Sequence, residues 1–142
     1  MVEAQNAITI RRSPADVFAF LDDGTNNPKW RNGVVEISHA SGSGAGAVYR
    51  QKVRGPGGRE ITADYEITAH EPPRRLAFEA IAGPARPEGE FLLEPAPDGT
   101  RVTFKLWWEP KGLKRAMAPM VAKTMRTEVA ALSRLKDVLE RG

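Results

Sequence analysis

The sequence predicts an α+β fold, in which a curved antiparallel sheet of about seven strands wraps around a long C-terminal helix. Two observations predict this fold class. Apolar residues recur three and four positions apart over residues 113–140, which is the stripe of an amphipathic helix. Much of the preceding chain alternates apolar and polar residues, as half-buried antiparallel strands do. Because a helix with one apolar stripe must bury it, we expect the helix to lie on the sheet.

The first thirty residues predict one strand followed by two short helices. The strand covers Val2–Ile10, where apolar and polar residues alternate. Ser13 and Pro14 suit the cap and the first position of a helix, which is expected to end before Gly24. A second short helix is expected to run up to Trp30, whose large ring should plug one edge of the core.

Six further strands are expected, separated by turns rich in glycine and proline. They cover residues 34–39, 47–54, 60–70, 76–81, 89–94 and 101–108. In the last two strands the alternation predicts that Phe91 and Phe104 face inward. Acidic residues of one strand should then pair with basic residues of the other on the solvent face.

Pro119 interrupts the C-terminal helical pattern, because proline donates no main-chain hydrogen bond and clashes with the preceding turn. Either the helix kinks there, or a short turn over residues 113–117 precedes a main helix over residues 119–140. Glu128 lies on the apolar stripe of this helix. Its carboxylate is expected either to reach water at the edge of the stripe or to face a ligand cavity.

Length and composition indicate one soluble globular domain over residues 1–142, large enough to bury a core. The absence of cysteine excludes disulfides, thiolate metal sites and a cysteine nucleophile. No apolar run is long enough to span a membrane, and the N-terminus does not resemble a secretory signal. We therefore expect a cytoplasmic protein without a transmembrane segment.

The net charge of +3 is too small to indicate nucleic-acid binding, but the charges are unevenly distributed. Five cations with no acidic residue among them lie in residues 111–126, namely Lys111, Lys114, Arg115, Lys123 and Arg126. They form either a solvated helix face or a contact surface for anionic lipid or an acidic partner.

Several blocks of the sequence resemble one known superfamily. The first block carries Ser13-Pro14, Val17-Phe18, Asp22-Asp23, Asn27-Pro28 and Trp30. The segments SGSGAGAVYR, DYEITAHEPPRRLAFEA and DGTRVTFKLWWEP follow in the order of that superfamily's later elements. Over nearly the whole chain the sequence resembles the START-like (SRPBCC) superfamily of helix-grip proteins, which includes polyketide cyclase/dehydrase-like and plant pathogenesis-related (Bet v 1) proteins. The resemblance implies an apolar ligand held between the sheet and the C-terminal helix.

Polar and large side chains on the expected inward faces are the candidate ligand-binding residues. They are His39, Tyr49, Gln51, Tyr65, Trp108, Met117, Val121 and Glu128. A register error of one residue in any strand would replace each candidate by its neighbour.

The first functional hypothesis is the binding of a hydrophobic small molecule, such as a lipid, an aromatic compound or a polyketide. The second is a cyclase or dehydratase, which needs an acid/base pair drawn from His39, Tyr65 and Glu128. The third is a non-catalytic module that contacts a partner or a membrane surface. The two histidines lie on different expected strands without metal-ligand spacing, and no nucleophile elbow or phosphate-binding loop is present, so we expect no metal and no cofactor.

Overall fold

The computed structural model describes the backbone of residues 1–142 and every side chain except that of Pro56. One antiparallel sheet forms the fold, and a short helix and a C-terminal helical arm pack on it. Its strands are β1 (Val2–Ile10), β2 (Val34–Ser41), β3 (Val48–Arg54), β4 (Glu60–Thr62), β5 (Tyr65–Glu71), β6 (Arg75–Ala80), β7 (Glu88–Ala96) and β8 (Gly99–Trp108). Their order across the sheet is β1-β8-β7-β6-β5-β3-β2, with the short β4 paired to β3.

Helix α1 (Pro14–Asp22) and a 3₁₀ turn (Gly24–Lys29) connect β1 to β2, which confirms the two expected short helices. The Ser13 hydroxyl accepts from the Asp16 N–H at 3.1 Å, and Pro14 occupies the first helical position. Trp30 follows the 3₁₀ turn and is fully buried. It lies within the core and not at its edge.

The prediction of one continuous strand over residues 60–70 is wrong. The structure divides it into β4 and β5 at Ala63 and Asp64. There the Asp64 carboxylate accepts from the Gln51 N–H at 3.0 Å, so a side chain replaces the regular main-chain partner. The remaining predicted strands are present with ends that differ by a few residues.

The inward faces of β7 and β8 are as predicted, because Phe91, Leu93, Val102 and Phe104 are all buried. Glu90 of β7, which was expected to pair with a basic residue of β8, forms its ion pair with another strand. The register sets Glu90 opposite Lys105. The carboxylate of Glu90, however, binds Arg75 of the neighbouring β6 at 2.9 Å.

The C-terminal arm begins with a 3₁₀ turn (Gly112–Met117), which leads into α2 (Ala118–Ala130) with Pro119 in its first turn. This confirms a short turn before the main helix. The long C-terminal helix is confirmed, with one interruption at Ala131, where α2 ends and α3 (Leu132–Arg141) begins. At this break the Asn6 side chain of β1 donates to the Val129 carbonyl at 3.1 Å. A side chain inserted at the helical hydrogen-bond ladder is an ordinary cause of such a break.

Helices α2 and α3 rest on β1, and α2 also contacts β8. Their buried residues follow the expected helical stripe: Val121, Met125, Val129, Leu132, Leu135 and Leu139. No helix in the described part of the chain is long and apolar enough to cross a membrane.

Candidate functional site

Six aromatic rings pack against one another on the inner face of the sheet. They are Trp30, Tyr49, Tyr65, Phe78, Phe91 and Phe104, and we call them the aromatic interior. The Phe91 and Phe104 rings stack with centroids 4.4 Å apart, and Trp30 meets both edge-on at 6.0 Å. Such offset and edge-on arrangements are the favourable ones for aromatic pairs. The rings therefore form a continuous apolar cluster on the sheet face to which the sequence assigns the ligand contacts.

Two grooves, of about 300 and 400 Å³, lie elsewhere on the molecule. One is formed by the ends of β5 and β6 and by β7, and the other lies between β1 and α2. Neither groove is lined by a ring of the aromatic interior. Both grooves are therefore separate from the aromatic interior.

A small polar cluster lies against these rings and consists of Asn27, Gln51 and Tyr65. All three side chains are buried. The Asn27 amide donates to the Tyr65 hydroxyl at 3.0 Å and to the Gln51 carbonyl oxygen at 3.4 Å. The Gln51 amide in turn donates to the Ala63 carbonyl at 3.3 Å. The cluster thus joins the 3₁₀ turn after α1 to strands β3 and β5.

The two tyrosines stack at 5.2 Å, but their hydroxyl groups are in different situations. The Tyr49 hydroxyl donates to the Asp22 carbonyl at 3.2 Å, at the end of α1. The Tyr65 hydroxyl accepts from Asn27 and, among the described residues, has no acceptor for its own proton. Burial raises the pKa of Tyr65 to about 12, so this group remains a neutral donor at physiological pH.

Trp30 carries a second donor without an acceptor. Its side chain is buried, with 1% of the residue exposed, and its Nε1–H has no hydrogen-bond partner within the described structure. A buried donor left in this state costs roughly 1–3 kcal/mol. Both Trp30 and Tyr65 border the phenylalanine rings of the interior, Trp30 through Phe91 and Tyr65 through Phe78. The interior therefore holds two donors that lack protein acceptors.

Arg31 and Glu128 form an ion pair beside Trp30. The Arg31 guanidinium binds one carboxylate oxygen of Glu128 with its Nη2 at 2.7 Å and its Nε at 2.9 Å. The two side chains are only 16% and 22% exposed. The Arg31 guanidinium also lies 6.0 Å from the Trp30 ring centre. The pair joins α2 to the segment that carries Trp30, and the Glu128 carboxylate is directed to this partner.

The remaining candidate residues lie outside the polar cluster, either at the sheet edge or in the core. His39 is exposed on the edge strand β2, where its ring stacks on Tyr49 at 5.0 Å and its Nε2 contacts the Gly42 carbonyl at 2.6 Å. Trp108 and Val121 are buried in the core, and Met117 is partly buried against it. The structure therefore groups Tyr49, Gln51 and Tyr65, places His39 beside them, and leaves Glu128 with Arg31.

Three features of this region have no signal in the sequence. Asn27 lies in a 3₁₀ turn, where no periodicity marks the inward side chain. The unpaired Trp30 N–H depends on distant strands. His70 binds the Asp22 carboxylate at 3.0 Å because a register shift between Ile67 and Ala69 changes which residues face inward.

The sequence matches the family described as polyketide cyclase / dehydrase and lipid transport over residues 1–140. The chain belongs to this family. No curated protein matches it. The match agrees with the superfamily resemblance and with the observed sheet and helical arm, so it confirms the predicted fold class.

Solved structures of low sequence identity share this fold. A protein from Rhodobacter sphaeroides has 21% identity and a TM-score of 0.75, with 99% of this chain and 94% of that chain covered. A START superfamily protein from Mycobacterium smegmatis has 14% identity and a TM-score of 0.74, with 98% and 99% covered. Ara h 8.0201 has 16% identity and a TM-score of 0.77, with 99% and 98% covered. At these identities the likeness extends to the fold alone.

The geometry determines which chemistry the interior supports. The acid/base candidates are dispersed, since His39 is exposed at the sheet edge and Glu128 is paired with Arg31. The Tyr65 hydroxyl and the Trp30 N–H are neutral donors among aromatic rings. Such a site suits recognition of an oxygen atom on an otherwise apolar molecule.

Proposed function

We propose that the protein binds an apolar small molecule carrying a hydrogen-bond-accepting oxygen between the sheet and the C-terminal arm. The observation that carries this proposal is the pair of buried donors, Trp30 Nε1–H and Tyr65 Oη–H, which have no acceptor among the described residues. The family and the aromatic interior support the apolar part of the ligand. The Tyr65 hydroxyl is neutral and can donate its proton. It therefore suits a hydrogen-bond acceptor, and not a cation, as the polar group of the ligand.

Ligand entry is easiest past Phe78, which is the only one of the six rings of the aromatic interior that is partly and not fully buried. Phe78 borders Tyr65 and Phe91, so its rotation admits a ligand beside these rings. Trp30 then keeps its position, and its Nε1–H remains available to the ligand.

A pair of matched probes tests this proposal: 2-acetylnaphthalene and 2-ethylnaphthalene, which share size and shape but differ in the carbonyl oxygen. Binding is followed by the quenching of tryptophan fluorescence. We expect the ketone to bind more tightly, by about fivefold for each donor that reaches its oxygen, because a neutral hydrogen bond contributes about 1 kcal/mol net. Native mass spectrometry of freshly purified protein accompanies the titration and detects any co-purified small molecule.

The stacked tyrosines provide a matched control. Tyr65→Phe and Trp30→Phe each remove one free donor, so each should reduce the preference for the ketone about fivefold. Tyr49→Phe removes a hydroxyl that already donates to Asp22 and should leave the preference unchanged. Failure of both probes to bind, with no co-purified molecule, would contradict the binding proposal. Equal affinity for both probes would contradict the role of the two donors.

A further inference from the structure

Leu113 is the most exposed large apolar residue of the described structure, with 96% of its surface accessible to solvent. It lies in the 3₁₀ turn Gly112–Met117, whose first residue has a left-handed backbone (Gly112, φ +60°). A single exposed leucine is ordinary on a protein surface. Met120, however, is also 44% exposed and follows on the first turns of α2. Two apolar side chains therefore reach solvent where α2 begins.

Cations surround these two apolar side chains. Lys111, Lys114 and Arg115 flank Leu113, and Lys123 continues along the exposed side of α2, one turn after Met120. Arg126 extends the row by a further turn. In the part of the chain that the structure describes, none of these five cations lies in a salt bridge.

The acidic residues next to this stretch do not neutralise it. Glu109 precedes the turn and is exposed, without a salt bridge to any of the five cations within the described residues. Glu128 follows it and is bound to Arg31. The cations thus keep their charge available to an external partner. An excess of unpaired cations around a protruding apolar side chain complements an anionic, partly apolar surface.

The turn is joined at its end to a buried part of the structure. Met117 packs against the core, and Val121, Met125 and Val129 bury the opposite side of α2. Leu113, Met120 and the cations are exposed on the outer side of this packed helix and of the turn that precedes it. No rearrangement of the fold is needed for this face to meet a flat partner.

We propose that the face formed by Lys111, Leu113, Lys114, Arg115, Met120 and Lys123 docks on an anionic lipid bilayer. The leucine enters the boundary between headgroups and acyl chains, and the cations lie at the level of the lipid phosphates. The exposed Leu113 favours a bilayer over a nucleic acid as the partner. Residues 111–126 also contain no aromatic ring on which a base could stack. This inference goes beyond the proposed ligand binding and does not depend on it.

The expected binding is reversible and sensitive to salt. Each cation near an anionic bilayer contributes about 1 kcal/mol, which is roughly a fivefold change in the partition constant. The contribution falls off within a Debye length of about 10 Å at about 0.1 M salt and decreases further as salt is added. One leucine and a half-exposed methionine add a smaller apolar contribution and cannot retain the protein at high salt.

Vesicle flotation tests this inference with the intact protein. The vesicles consist of phosphatidylcholine alone or of phosphatidylcholine with about one third phosphatidylglycerol, at about 0.05 M and about 0.5 M salt. We expect binding only to the anionic vesicles at low salt. Lys114→Gln with Arg115→Gln should weaken the partition constant by about 25-fold. Leu113→Ser should weaken it by about tenfold, because the inserted side chain is lost.

A charge-matched control uses two cations elsewhere. Arg50→Gln with Arg101→Gln removes the same charge from exposed positions on β3 and β8 and should change binding less than threefold. Binding to both vesicle types alike, or an equal loss in this control, would overturn the inference. Full binding by Leu113→Ser would show that charge alone holds the protein on the vesicle and would overturn the insertion of this side chain. Because all altered residues are exposed, unchanged thermal unfolding is expected and is measured for each variant.

Discussion

Replacement of Gly24 by alanine tests the packing on which the candidate site depends. Gly24 begins the 3₁₀ turn after α1, and its α-carbon approaches the stacked tyrosines closely. A β-carbon added there would clash with the Tyr65 hydroxyl and would lie 2.8 Å from the Tyr49 ring, which is also too close. The backbone of Gly24 is not left-handed, so the added methyl group is opposed by packing and not by conformation.

The expected magnitude follows from two opposing contributions. Alanine at a compatible backbone position stabilises by about 0.4–1 kcal/mol, because it restricts the unfolded chain. Overpacking a buried region costs about 1–3 kcal/mol. For Gly24→Ala we therefore expect the free energy of unfolding to fall by about 1–2 kcal/mol. Gly33→Ala is the matched control, because the nearest atom to its added methyl group is 3.9 Å away, and it should be neutral or slightly stabilising.

A double-mutant cycle identifies which atom causes the loss. Tyr65→Phe removes the hydroxyl that the new methyl group would strike, so the loss in the double variant should be smaller than the sum of the single losses, by about 0.5–1 kcal/mol. Urea unfolding at constant m-value measures these differences through tryptophan fluorescence. Gly24→Ala that is as stable as Gly33→Ala, or strict additivity with Tyr65→Phe, would refute this account of the packing.

Two further predictions concern charges near the interior. Glu128→Gln should lower the free energy of unfolding by about 1 kcal/mol because the half-buried Arg31 loses its counter-charge, and a cycle with Arg31→Gln in urea unfolding should show coupling at low salt. Because burial raises the pKa of Tyr65 to about 12, the unfolded chain ionises this hydroxyl first, and stability should be lost as pH rises from about 10 to about 12. Urea midpoints between pH 9 and pH 11.5 should therefore fall more steeply for the wild type than for Tyr65→Phe, and parallel curves would contradict the buried, neutral state of this group.

Much of the fold could be predicted because local patterns repeat along the chain. The stripe of Val121, Met125 and Leu132 is helical, and alternation placed Tyr65 beside Ile67 on a face where both are buried. The break at Ala131 could not be predicted in this way. No glycine or proline marks it, and Asn6, which donates to the Val129 carbonyl beside it, lies more than a hundred positions away in the chain.

The candidate site was predicted less completely, because a bulge changes the face on which later residues lie. Simple alternation from Tyr65 directs His70 away from the interior. The register shift between Ile67 and Ala69 reverses this, and the His70 ring meets Phe18 at 5.4 Å and binds Asp22. An extra residue in a strand leaves no mark in a period of two that a single sequence would reveal.

The polar cluster also explains why ligand binding and stability should be coupled in this protein. Asn27, Gln51 and Tyr65 satisfy one another only in part, and the buried Trp30 keeps an N–H without a partner among the described residues. That unpaired donor alone costs roughly 1–3 kcal/mol, in domains whose total stability is about 5–15 kcal/mol. A ligand oxygen that accepts from Trp30 and Tyr65 removes this cost only in the folded state. Binding through these donors should therefore stabilise the fold by an amount that rises with the logarithm of ligand concentration, whereas an apolar molecule without the oxygen leaves the cost in place.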